Sequence, residues 1–135
     1  MHVVAFLIHA LGERDANHGM ARGDNIQSAH MWFRLLKEST RWAICYPTTA
    51  YLASVDELAF MPGMLVDHRE MMLRCDVLVA TGGVMSPHMR FIWDAAKRSG
   101  KPLLDLLDLG AMPPLDLRDE TKREIQRRAD ALDLD

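Results

Sequence analysis

Residues 75–104 read CDVLVATGGVMSPHMRFIWDAAKRSGKPLL, and the order of signals within this stretch decides the fold. Asp76 to Ala80 is a short continuous apolar run, the pattern of a strand covered on both faces. Gly82-Gly83 ends it. Ser86-Pro87 then opens a helix, with serine as N-cap and proline at the first helical position, where its missing N–H costs nothing. The helix stops at Gly100 in Ser99-Gly100-Lys101-Pro102, and residues 103–107 form the next strand. This is one strand–helix–strand unit of a parallel sheet, with its glycine loop where such sheets hold ligands.

Working outward, Val3-Val4-Ala5-Phe6-Leu7-Ile8 is a second continuous apolar run and the first strand. A polar, glycine-containing loop spans residues 12–23. Asp24 is read as the cap of the next helix, with Gln27 as its capping-box partner. Ile26, Ala29, Phe33 and Leu36 recur at helical spacing and mark the buried face. Residues 41–46 form a strand closed by Pro47. A short helix is expected over 50–56, then a loop broken at Pro62-Gly63. Residues 64–74 read as a helix, and residues 117–132 as the last one. The expected architecture is a single α/β domain over residues 1–135, with a parallel sheet of four or five strands between helix layers.

Composition narrows the function. The chain has 135 residues, 49% hydrophobic and 26% charged, enough to bury a core without disulfides or metal. Its formal net charge of -3 argues against a general nucleic-acid binder, which needs a basic surface. The basic residues of the last helix alternate with acidic ones, and Glu124 to Arg128 is a favourable pair one turn apart. That helix reads as a solvated face. Cys45 and Cys75 are expected as buried, reduced thiols. The apolar start lacks the basic flank and cleavage site of a signal peptide. No apolar segment is long enough to span a bilayer. A cytoplasmic protein without a membrane partner is the expectation. Neither the dinucleotide-binding glycine fingerprint nor a P-loop is present, and no cofactor is expected. None of the six histidines has a ligand-spaced partner, so no metal site is expected.

Ligands of open α/β sheets bind beyond the carboxyl ends of the strands. That rule selects His9, Tyr46, Thr81, Gly82 and Gly83, and residues 105–108. Glycines let a backbone approach a ligand closely, and the first turn of the Ser86 helix attracts anions. The same Gly-Gly pair is equally read as a plain turn from strand to helix. His88, in that first turn, is either a neutral imidazole donating to a ligand or a solvent-facing residue.

The block from Asp67 to Pro102 resembles the nucleoside 2-deoxyribosyltransferase-like superfamily, including its small bacterial and phage branches. Cys75-Asp76, Gly83, Ser86, Ala96 and Gly100-Lys101-Pro102 carry the resemblance. Asn25 and Ala29 fit the family's first helix, and Tyr46-Pro47 the end of its second strand. The resemblance implies a flavodoxin-like or Rossmann-like three-layer sandwich. It also implies a small-molecule nucleoside or nucleotide as partner. Strand-end placement, the Ser86 helix start and the resemblance together give a ligand-binding set of His9, Asn25, Tyr46, Thr81, Gly82, Gly83, Ser86 and His88.

In that family a glutamate six positions after the serine attacks the anomeric carbon. Here that position is Ile92. Met89, Ile92, Trp93 and Ala96 form one helical stripe toward the sheet, and Asp94 lies on the far side, paired with Arg90. The nearest surviving match to a family carboxylate is Asp67. The leading expectation is therefore a nucleoside- or nucleotide-binding relative without the usual nucleophile. One alternative is an N-glycoside hydrolase or transferase acting on a nucleoside monophosphate through Asp67. The other is a structural or interaction protein with a vestigial pocket. Related folds self-associate, so a homo-oligomer, dimer or higher, is expected, with Trp32 and Trp93 as its surface if they are exposed.

Overall fold

Strand residues that alternate between two covered faces set the layers. A computed structural model describes residues 2–11, 22–47, 62–112 and 115–134. Its elements run β1 (Val4–Ile8), α1 (Arg22–Ser39), β2 (Ala43–Cys45), α2 (Pro62–Leu73), β3 (Val77–Ala80), α3 (Pro87–Arg98), β4 (Leu103–Asp105) and α4 (Arg118–Ala131). The four strands form one parallel sheet in the order β2-β1-β3-β4. Ala5 and Leu7 of β1, with Val77 and Val79 of β3, face Trp32, Leu35 and Leu36 of α1 and Ile125 and Ala129 of α4. Phe6 and Ile8, with Leu78 and Ala80, face Met72 of α2 and Met89, Ile92 and Ala96 of α3. This is the three-layer Rossmann-like or flavodoxin-like sandwich. Four strands are present among the described residues. The helix expected over 50–56 and the loop over 12–21 lie outside them.

Several boundaries differ from the sequence expectation for identifiable reasons. α1 begins at Arg22, so Asp24 sits inside the helix and does not cap it. Pro62 opens α2 and does not break a loop; a proline's fixed φ and absent N–H suit a first turn. β4 ends at Asp105, whose Oδ1 accepts a hydrogen bond from the Leu107 N–H at 2.9 Å and turns the chain out of the sheet. A short 3-10 turn over Leu107–Leu109 follows. β2 is only three residues long and, among the described residues, pairs with β1 alone. The inward stripe of α1 is also rotated. Asn25, Ser28, Ala29, Trp32, Leu35 and Leu36 are buried, whereas Ile26 and Phe33 are only half-buried. Trp32 is therefore core and supplies no dimer surface.

Asp76 and Lys101 hold the amino end of the sheet. The Asp76 carboxylate accepts a hydrogen bond from the Val4 N–H at 2.8 Å, and Lys101 Nζ donates to the Cys75 carbonyl at 2.7 Å. Both thiols are free, and burial pushes that of Cys75 up to about 11. On α4, Arg128 donates to Glu124 and to both carboxylate oxygens of Asp108, fastening the helix to the turn after β4. Among the described residues, no helix is long and apolar enough to cross a membrane.

Candidate functional site

Because β1 and β3 are neighbours, their carboxyl ends meet at one rim. The crossovers leave these two strands in opposite directions, which makes the rim a topological switch point. The Thr81 N–H and hydroxyl both donate to the Ile8 carbonyl at 3.1 Å, so this side chain clamps the two strand ends together.

His9 follows β1 and is buried. Its Nδ1 lies 2.8 Å from the Ala10 carbonyl, and its Nε2 lies 2.7 Å from Ser28 Oγ. Ser28 Oγ is in turn 2.6 Å from the Ala111 carbonyl, to which Trp32 Nε1 also donates at 2.8 Å. A neutral imidazole has one N–H, so the ring donates at one of these two contacts, and the single Ser28 hydroxyl proton goes to the Ala111 carbonyl. The Trp32 indole is the second donor to Ala111. Desolvation pushes His9 down to about 4, with the Ala10 carbonyl opposing, and the ring is neutral at pH 7. Ser28 is fully buried, and the cluster ties β1, α1 and the turn at Ala111 together.

Gly82 and Gly83 have φ of 99° and 83°. The close approach they permit is to the protein itself. A Cβ on Gly82 would stand 2.5 Å from His9 Nε2, and one on Gly83 would stand 2.8 Å from the Ala111 N. Gly82→Ala is expected to destabilise the fold by about 2 kcal/mol or more, from left-handed strain plus a clash with a pinned ring. Urea denaturation of the two proteins measures it.

Ser86 caps α3 as expected, its Oγ accepting from the Met89 N–H at 3.3 Å. That bond uses one first-turn donor, and Pro87 has none, so this helix end offers fewer groups to an anion than its position suggests. His88 does not face solvent. It is buried, with Nε2 3.0 Å from His68 Nδ1 and the rings edge to face at 78°. Burial and the neighbouring His68 push His88 down to about 3; the helix end is not the dominant cause. Burial also lowers His68, against the charge of Asp67. Two neutral imidazoles thus join α2 to α3 through one N–H···N bond.

The carboxylates stand apart from this cluster. Asp67 is exposed on α2, and its neighbour His68 is the residue turned inward. Ile92 is 0% exposed and packed in the apolar layer. Asp94 lies 4.0 Å from Arg90 on the outer face of α3, both side chains well exposed. Tyr46 is half-buried at the end of β2 and packs against Leu11. Asn25 is buried at the end of the first turn of α1, one turn before Ser28, and neither Oδ1 nor Nδ2 has a hydrogen-bond partner.

The structure thus brings His9, Thr81, Gly82 and Gly83 together, with Asn25 one helical turn above Ser28 and Ser86 at the following helix. It adds Ser28, His68 and Ala111, which sequence reasoning missed. Spacing held a signal for two of them: Ser28 shares a helical face with Asn25, and His68 is one position from Asp67. Among the described residues, no cluster of three or more His, Cys, Asp or Glu is placed to hold a metal. A groove of about 270 Å³ between α1 and the start of α4, lined by Gln27, Met31, Arg34, Met112 and Arg118, contains none of the candidate residues. No family model, curated protein or solved structure matches the chain.

Proposed function

We propose that the chain binds a nucleoside or nucleotide at the β1–β3 rim, without the glutamate chemistry of deoxyribosyltransferases. One observation carries this reading. Among the described residues, the buried polar side chains are His9, Asn25, Ser28, Ser39, His68, Thr81, Ser86 and His88, and all but Ser39 gather toward this end of the sheet. Elsewhere the core is apolar. A fold of this size keeps buried polar groups sparse because each must be matched. Their concentration at a switch point supports a binding site. Ile92, sunk in the core at the position of the family's nucleophile, supports binding over glycosidic chemistry.

Thermal unfolding with a panel of nucleosides and nucleoside monophosphates at millimolar concentration tests this. A ligand at a hundred times its Kd adds about 2.7 kcal/mol, which raises the Tm of a domain this size by several degrees. At least one panel member is expected to do so, with no free base released on chromatography. No shift with any member contradicts the reading. Base release that disappears in Asp67→Asn would replace it with the glycosidase alternative.

A further inference from the structure

Asn25 is 1% exposed, and among the described residues it alone has both a donor and an acceptor buried without a match. A primary amide removed from water in this way is a costly thing for a small core to hold. Packing does not call for it, because the next inward positions of α1 are filled by Ala29 and Trp32. Nor does the hydrogen-bond cluster below, where Ser28 already meets both His9 and Ala111. α1 enters at the rim and runs away from it, so its early turns lie at the ligand-binding end of the sheet. Asn25 shares the inward face with Ser28, one turn closer to that end.

We propose that Asn25 determines the specificity of the site. Its amide makes two hydrogen bonds to a planar ligand edge that sets one donor beside one acceptor, as a nucleobase or a carboxamide does. This rests on the binding function proposed above and names the part of the ligand that is read. An asparagine amide is the geometric complement of such an edge; adenine offers it through its exocyclic amine and ring nitrogen. A sugar or a phosphate presents no planar donor–acceptor pair. Sites built to pair a polar edge reject ligands that lack it by large factors, because the site's own polar atoms are then stranded.

Calorimetric titration of the full chain with adenosine, cytidine, uridine and nicotinamide tests the proposal, on wild type, Asn25→Leu and Asn25→Asp. Wild type is expected to bind at least one nucleoside. Asn25→Leu is expected to lose about a hundredfold in affinity and Asn25→Asp about tenfold. Binding of nicotinamide alone would assign the edge to a carboxamide. Without ligand, Asn25→Leu is expected to melt several degrees higher than wild type, because it removes an unmatched amide. Nucleoside binding within twofold of wild type in Asn25→Leu or in Asn25→Asp overturns this proposal and leaves the binding function standing. So does an Asn25→Leu protein that melts several degrees lower, since the amide was then paired within the fold. Failure of all four probes on wild type overturns this proposal, and if no nucleoside monophosphate gives a thermal shift either, the binding function falls with it.

Discussion

Ile92→Glu, which places a carboxylate where the resembling family has its nucleophile, is expected to unfold the chain at neutral pH and not to create an enzyme. Ile92 is fully buried and packs with Phe6, Leu78, Met72, Met89 and Ala96 in an apolar cluster. Losing the buried isoleucine costs about 3 kcal/mol. The introduced carboxyl group must then stay protonated in an apolar layer or carry an unpaired charge there. A loss of more than about 4 kcal/mol follows, a large part of the 5–15 kcal/mol that holds an ordinary domain together. Urea denaturation followed by circular dichroism measures this. A variant that keeps the wild-type midpoint and releases base from nucleosides would show that position 92 reaches the ligand, and the binding-only account would fail.

The second large effect is acid destabilisation through histidines. Folding lowers the proton affinity of His9, His68 and His88, mainly by burial. Unfolded, each titrates near 6.5. As pH falls below 6.5, the unfolded chain takes up protons that the folded chain refuses, so stability rises with pH in this window and is lost toward acid. For His9, held near 4, the loss reaches about 3 kcal/mol by pH 4. The coupled His68–His88 pair acts in the same direction. Glu38, Asp108 and Glu124 are shifted downward by their basic partners, so their contribution is lost only at lower pH, below their unfolded values near 4. The interval from pH 6.5 to 5 is thus specific to the histidines. Denaturation midpoints at pH 7.5, 6 and 5 should fall steadily. Equal midpoints across this interval would contradict the neutral, buried assignment of these rings.

The fold was legible because parallel strands leave continuous apolar runs and the loops carry sharp punctuation. Ser86-Pro87 and Gly100 bound α3 closely, and Ile92 faces the sheet as its stripe predicts. The site was less legible because its signal contradicts hydrophobic patterning. Reading apolar spacing along α1 selects Ile26 and Phe33. The structure buries Asn25, Ser28 and Trp32 instead, two of them polar residues that a pattern assigns to solvent. The same rule favours Asp67 as a visible carboxylate over His68, which packs inward against His88. The sequence offers Gly82-Gly83 either for approach to a ligand or as a plain turn, and in the structure it is protein groups that come close. Sequence alone did not reveal that the approaching groups are His9 and Ala111, because those contacts depend on strand order.

Titration of isotopically labelled protein by two-dimensional proton–nitrogen NMR, with the nucleoside or nucleotide that gives the largest thermal shift, tests the central claim most directly. The side-chain amide of Asn25 and the backbone amides of Gly82, Gly83 and Ser86 are predicted to move together and saturate at one ligand per chain. Shifts confined to Gln27, Arg34 and Arg118 in the groove beside α4, or no shifts at all, would contradict a ligand site at the β1–β3 rim.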